Sequence, residues 1–390
     1  MAQPTSQSSK SIFTPFNIIT GAIILIGAIL TILRFTKGLG AVTNLNDNNP
    51  WGIWIGFDLL CGVALAAGGY VTCATCYIFG LKQFRCAVRP AILTALLGYA
   101  LVVLALSYDV GRPWRLPYPL FYSPGTSSIL FEVALCVFLY LTVLFLEFSP
   151  AAFEWLDWKR ARHIIEKFSL ALVIFGIILS TLHQSSLGAL FMIVPSKLHP
   201  LWYSGYLPVY FFISSIIAGM AMVIFEHMIV ERFLHDKIDE EHQIESNNVA
   251  LGFGKAASFL MAGYLMIQLI GIAIDNDWKY LGTWWGLWYL LEMVGFVALP
   301  AFFFAVGVRE RNIKLIQWTS FWTVFGIVLN RFNISLVAFN WQLPLNQRYF
   351  PSWMEIMTTI FIITIGVVIF KFIAMRMPIL HVHPDYPDDH

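Results

Sequence analysis

Residues 51–79 read WGIWIGFDLLCGVALAAGGYVTCATCYIF, twenty-nine positions with one charged side chain, Asp58. An α-helix needs roughly 20 apolar residues to cross about 30 Å of hydrocarbon. This stretch exceeds that, and a lone acid inside it costs roughly 2.5–3.5 kcal/mol on insertion scales. Nine further runs have the same character, at 16–35, 88–107, 128–146, 164–182, 206–230, 249–274, 284–308, 316–330 and 353–374. With 58% hydrophobic and 12% charged residues among 390, the chain holds more apolar sequence than one soluble core uses. The expectation is an all-α integral membrane protein of ten transmembrane helices, residues 1–390 forming one polytopic domain. The polar N-terminus, MAQPTSQSSK, precedes a retained first helix and not a cleaved signal, because no small-residue cleavage site follows the first run.

An even number of spans puts both ends on one side. With the N-terminus inside, that side collects sixteen of the 24 Lys and Arg residues and the other side eight. Positive charge is retained in cytoplasmic loops, so the expectation is a cytoplasmic (inner) membrane protein with both termini cytoplasmic: an N-terminal segment 1–15 and a tail 375–390. Ten of the fourteen Trp residues sit at the opposite ends, beside loops rich in Pro, Gly, Asn and His. An interfacial belt accounts for most of them, but loops of that composition also carry function more often than plain charged connectors.

The net charge of +1 gives no reason to expect nucleic acid or a polyanionic substrate. Nothing resembles GxGxxG or a phosphate-binding loop, so nucleotide or flavin chemistry belongs to another chain. Cys61, Cys73, Cys76, Cys86 and Cys136 all lie in or beside apolar runs, which argues against a disulfide framework. The CxxC at Cys73 and Cys76 offers two thiols one turn apart, too few to hold a cluster or complete a zinc site.

Four consecutive runs send an acid or an imidazole toward the outer layer: Asp58, Asp109, Glu132, and His183 with Gln184 at the close of the fifth run. Asp109 is followed by Arg112, which sets a carboxylate beside a guanidinium. Reducing a quinone moves two protons with two electrons, so groups that exchange protons near its carbonyls are needed. Asp58, Asp109, Glu132 and His183 are therefore the candidate catalytic set. The competing reading is a satisfied packing group or an ion pair holding a loop. Glu226 and Arg331, more than Glu292, join Glu132 as candidates for a proton route, although Glu226 beside His227 also has the placement of a snorkelling side chain. Haem needs two axial ligands at one depth. Only His183 and His199 share the outer side, which leaves one outer haem open and gives no support to two stacked haems.

Several blocks in fixed order, PWGIWIGFDLLCG, DVGRPWRLPY, ILFEVALC, LHQSSLGALF followed by KLHPLWYS, and NRFNISLVAFN followed by YFPSW, resemble the NrfD/PsrC-like family of quinone-interacting membrane subunits. The similarity runs from Arg34 to Glu355 and is nearest to the membrane subunit of hydrogenase-2-type [NiFe] enzymes. It implies two four-helix bundles flanked by helices 1 and 10, with residues 51–183 forming the quinone-site bundle and 206–337 the second. It also implies a haem-free subunit that reacts with menaquinone, with iron–sulfur clusters only on an extracytoplasmic ferredoxin-like partner, served here by [NiFe] hydrogenase large and small subunits. Trp51, Trp54, Arg112, Gln184 and His199 match the family blocks and become candidates for lining the quinone site. Glu132 and Glu226, each preceded by Phe, match positions implied in proton transfer. The resemblance equally admits the membrane subunit of a polysulfide reductase or a cytochrome-linked quinone reductase, and the readings from other classes are a transporter, which would show an inverted repeat and a mid-membrane site, and a purely structural anchor.

Overall fold

The structure is a computed structural model that describes residues 14–233, 240–377 and 379. The expected N-terminal segment 1–15 and tail 375–390 lie for the most part outside the described residues, as do His381, His383 and His390.

Ten helices are long and apolar enough to cross a membrane: α1 (Pro15–Lys37), α2 (Trp54–Ile78), α3 (Lys82–Asp109), α4 (Ile129–Trp155), α5 (Ser169–Met192), α6 (Leu207–Phe233), α7 (Gln243–Asp275), α8 (Trp284–Arg309), α9 (Ile313–Val337) and α10 (Trp353–Arg376). There is no strand among the described residues. Backbone N–H and C=O groups inside hydrocarbon must find partners within the protein, and helices supply most of them within each segment. Below, the face holding the start of α1 and the end of α10 is the terminal face, and the opposite one is the loop face.

Helices α2 to α5 form one bundle and α6 to α9 a second; α5 packs on α6, and α2 runs between the bundles against α6 and α9. The flanking helices α1 and α10 pair with each other, and α10 also packs on α3 and the start of α2. Close approach of α2 and α6 depends on small residues: a Cβ on Gly219 would stand 2.7 Å from the backbone nitrogen of Gly68. Interfaces between membrane helices favour such residues because backbone proximity, and not expulsion of water, drives the association.

Local signals account for the helix starts. Thr14 caps α1 through Asn17 N–H, with Pro15 at the first position. Ser352 and Glu355 make a reciprocal capping box at α10. The fifth apolar run is displaced, however: residues 159–166 form a separate short helix and α5 runs on to Met192. The polar residues His183, Gln184 and Ser186 do not end α5, because each is buried against neighbouring helices with a partner there.

Helix α2 is irregular. It opens with a π stretch at Trp54–Leu59 and closes with another at Ala74–Ile78. Between them the amide of Ala67 bonds to Ala64 O at 3.3 Å. That choice frees the carbonyl of Val63. Helix α9 also ends in a π stretch, Asn333–Val337, facing the first one so closely that a Cβ on Gly56 would meet Ser335 Oγ at 2.6 Å. Single-turn π segments concentrate at functional sites.

Candidate functional site

His183 lies inside α5, roughly 14 Å from its loop-face end at 1.5 Å per residue. It is fully buried, with Nδ1 3.1 Å from Leu179 O and Nε2 2.5 Å from the Tyr99 hydroxyl of α3. A carbonyl only accepts, so Nδ1 of the neutral ring is the donor and Nε2 accepts from Tyr99. The Tyr140 ring packs edge-on against Tyr99 at 4.7 Å and lies 6.1 Å from His183. Gln184 Nε2 donates to Val63 O at 2.9 Å, the carbonyl that the break in α2 released. Around this pair Tyr140 Oη is buried without a hydrogen-bond partner, and Ser180 Oγ and Gln184 Oε1 are buried facing the Tyr99 hydroxyl without a well-formed hydrogen bond. Native proteins leave few such groups, and a cluster of them asks for a water or a ligand.

The other members of the candidate set lie elsewhere. Glu132 is exposed on the flank of α4 and accepts from Ser186 Oγ at 2.7 Å, three residues past His183 on α5. It therefore stands at the lipid side of the same layer. Asp58 is buried but turns away from the bundle, accepting from Thr359 Oγ1 of α10 at 2.8 Å. Asp109 has its electrostatic partner in Arg34 of α1, with Glu355 also near, and its Oδ1 is buried without a hydrogen bond. The spacing argument paired it with Arg112, which is exposed in the loop. Arg34 itself donates to Tyr108 O at 2.7 Å and Val110 O at 2.8 Å. The four residues thus fall in two places, a core node at His183 with Glu132 at its edge, and a lateral node where α1 and α10 meet α2 and α3. The sequence could not separate them because it fixes depth but not helix rotation.

Sequence reasoning missed the anchor of the lateral node. Glu355, 1% exposed, accepts from Tyr349 Oη at 2.5 Å, Ser352 N at 2.8 Å and Asn44 N at 3.1 Å. Trp54 Nε1 donates to the Glu355 carbonyl at 3.2 Å. The SxxE pattern before the last apolar run was the available signal. Tyr99 and Tyr140 gave none, since a tyrosine inside an apolar run reads as core.

A third node fills the loop-face half of the second bundle. Glu292 is buried and accepts from Trp202 Nε1 at 2.8 Å, Asn330 Nδ2 at 2.6 Å and Asn333 Nδ2 at 2.5 Å. Arg331 donates to Asn330 Oδ1 at 2.8 Å and Ser214 Oγ at 2.7 Å, and stands 3.8 Å over the Phe211 ring. The lesser of the expected proton-route residues, Glu292, is thus the hub to which Arg331 is tied. On the loop face above it, His199 sits among Trp202, Tyr280, Trp285 and Trp341 at 4.7–5.6 Å, and its Nδ1 accepts from Leu201 N at 3.2 Å. Burial among these rings holds its pKa down to about 4. Trp51 is half-buried, stacked on Phe339 at 6.2 Å and edge-on to Phe191 at 6.0 Å.

Toward the terminal face, Glu226 of α6 is buried, not snorkelling. Thr94 Oγ1 donates to its Oε2 at 2.7 Å, while Oε1 has no partner, and Glu226 lines a narrow cleft of about 30 Å³ with Cys86, Pro90, His227 and Ser246.

Ten helices of spanning length with buried ionisable side chains in separate layers define a polytopic membrane protein. The polysulphide reductase NrfD family model matches residues 41–341, and the chain belongs to that family. It is 63% identical over 385 residues, 99% of each chain, to a protein of Nitratidesulfovibrio vulgaris Hildenborough. It is 33% identical to the probable Ni/Fe-hydrogenase 2 b-type cytochrome subunit of Escherichia coli K12, over 97% of this chain and 95% of the other. It is 26% identical to the menaquinone reductase integral membrane subunit of N. vulgaris, over 88% of this chain and 86% of the other.

The second of these names raises haem. His183 does not fit an axial ligand, since both ring nitrogens are engaged and Tyr99 and Tyr140 close over it. His199 is 1% exposed among four aromatic rings, and its Nδ1 is taken up by Leu201 N–H. Among the described residues no group of three or more His, Cys, Asp or Glu is placed to hold a metal ion.

Proposed function

We propose that this chain is the menaquinone-reacting membrane subunit of a hydrogen-oxidising complex in the cytoplasmic membrane, with the terminal face cytoplasmic. Electrons leave [NiFe] large and small subunits, pass through an extracytoplasmic ferredoxin-like iron–sulfur subunit seated on the loop face, and reduce menaquinone at the His183 node. The observation that carries this reading is the likeness to the hydrogenase 2 membrane subunit along nearly the full length of both chains.

The local chemistry agrees with it. A quinone that takes two electrons must gain two protons to become a quinol. The Tyr99 hydroxyl bonded to His183 Nε2 gives a proton donor already aligned with a group able to receive the next proton. Beside them the Tyr140 and Ser180 hydroxyls are donors for a quinone carbonyl oxygen, and Gln184 Oε1 is an acceptor for a quinol hydroxyl. Glu132 and Ser186 mark the approach from lipid between α4 and α5. Of the residues expected to line the site, Gln184 belongs to this node and Trp51 stands on Phe191 at the loop-face end of α5, whereas Trp54 lies in the lateral node, His199 over the second bundle and Arg112 in the exposed loop. Glu226, reached through its cleft and joined to Thr94, is the entry of a proton route from the cytoplasmic side, with Arg331 and Glu292 serving the second bundle. The likeness to a menaquinone reductase subunit supports a second reading, the same quinone chemistry fed by another donor.

The test is to purify the complex through a tag on this chain, identify the subunits that accompany it, record the optical spectrum, and supply hydrogen with menaquinone. Hydrogen-driven menaquinone reduction without a haem spectrum supports the reading. Quinone reduction only from a different donor retains the quinone site and removes the hydrogenase.

A further inference from the structure

We infer that the short helix Lys159–Glu166, between α4 and α5, is a binding site for anionic phospholipid in the terminal-face leaflet. The segment leaves α4 at Trp155 and enters α5 at Ser169, so both ends are fixed at the membrane boundary. Its orientation is set by a buried carboxylate. Glu154, 2% exposed, receives Arg89 of α3 at 2.9 and 3.0 Å and Arg162 Nε at 3.0 Å. Arg162 also meets Glu166 at 2.9 Å. One basic side chain is thus turned inward as a clamp, which fixes the direction of the others.

At helical spacing, Lys159, His163 and Lys167 form one exposed stripe, and Arg160, Ile164 and Phe168 form the adjacent one. Ile164 is 57% and Phe168 60% exposed, and Trp155 and Trp158 stand beside them at 49% and 58%. Lys159 also lies 3.9 Å from Asp157, a solvated contact of little strength. Basic residues on one side, with aliphatic and aromatic residues along the next, are the makeup of a helix lying in the headgroup plane. Phosphate is the anion at that level, and Trp and Phe occupy the adjoining acyl boundary. The chemistry specifies a phosphodiester lipid with net negative charge and not a zwitterionic one, because the strip presents Lys159, Arg160 and Lys167 while Glu166 is held by Arg162.

The test uses the full chain purified in neutral detergent, titrated with phosphatidylglycerol, phosphatidylcholine or inorganic phosphate, with unfolding temperature as readout and bound lipid counted by native mass spectrometry. Phosphatidylglycerol is expected to raise the unfolding temperature and remain bound, with the other two inert. Each basic side chain near an anionic surface contributes about five-fold in affinity, so Lys159→Gln/Arg160→Gln/Lys167→Gln raises the half-maximal lipid concentration about a hundred-fold. Lys159→Arg/Arg160→Lys/Lys167→Arg, which keeps the charge, restores it. Equal stabilisation by phosphatidylcholine, an effect of inorganic phosphate alone, or unchanged lipid affinity in the charge-removed variant would each overturn the assignment.

Discussion

Removing the Glu292 carboxylate gives the largest stability loss that the structure anticipates. In Glu292→Ala three donors lose their acceptor at once, Trp202 Nε1, Asn330 Nδ2 and Asn333 Nδ2, all in a region closed to water. Each orphaned buried donor costs about 1–3 kcal/mol. Arg331, 1% exposed and leaning on Asn330, also loses the buried carboxylate beside it, and an uncompensated buried charge costs about 3–5 kcal/mol. These terms share partners and do not add fully, so a loss of at least about 4 kcal/mol is expected. Glu292→Gln keeps one acceptor oxygen and the shape, and should lose roughly half as much. The assay is unfolding of the detergent-purified protein followed by tryptophan fluorescence, with exposed Glu132→Gln as the control, which should stay within about 0.5 kcal/mol. Glu292→Ala/Arg331→Leu should be less damaging than the sum of its single changes, because the stranded charge is gone. If Glu292→Ala unfolds like the control, or the double variant is simply additive, the network does not hold the second bundle together.

Other expectations follow from single contacts. Tyr99→Phe keeps the ring packing but removes the hydroxyl on His183 Nε2; quinone turnover should fall at least about ten-fold, with electron delivery to an artificial dye unchanged. Gly219→Val places side-chain atoms where the α2 backbone runs, and overpacking of this kind costs about 1–3 kcal/mol or more, read as a lower unfolding temperature. His199 titrates near 4 in the fold and near 6.5 in the unfolded chain. Between those values the unfolded chain binds more protons, so stability falls as pH drops through that window and levels off below it. In His199→Gln the acid loss of unfolding temperature should shrink; an unaltered pH profile would show that His199 takes no part in it.

Hydropathy alone located every span, because a bilayer imposes length and composition on each one and ten runs answered to it. It misjudged the end of α5, where HQSS looks like a loop yet is satisfied by Tyr99, Val63 and Glu132 on other helices. The ionisable residues at loop-face depth were also legible, since each is conspicuous against its apolar run. Their grouping was not. Asp58 faces α10 and Asp109 faces α1, and such choices depend on helix rotation, to which a π segment in α2 contributes. Glu292 looked like an isolated acid because its donors come from two other stretches, the loop at Trp202 and the end of α9 at Asn330 and Asn333. Tyr99, which completes the proposed proton-carrying pair, is polar only at its tip and disappears in any hydrophobic count.

The most direct measurement is hydrogen-dependent menaquinone reduction by the purified complex carrying His183→Ala, set against its hydrogen-dependent reduction of an artificial dye. The account predicts that menaquinone turnover is lost while dye reduction and subunit attachment persist. Menaquinone turnover at the native rate in that variant would contradict the placement of quinone chemistry at the His183–Tyr99 pair.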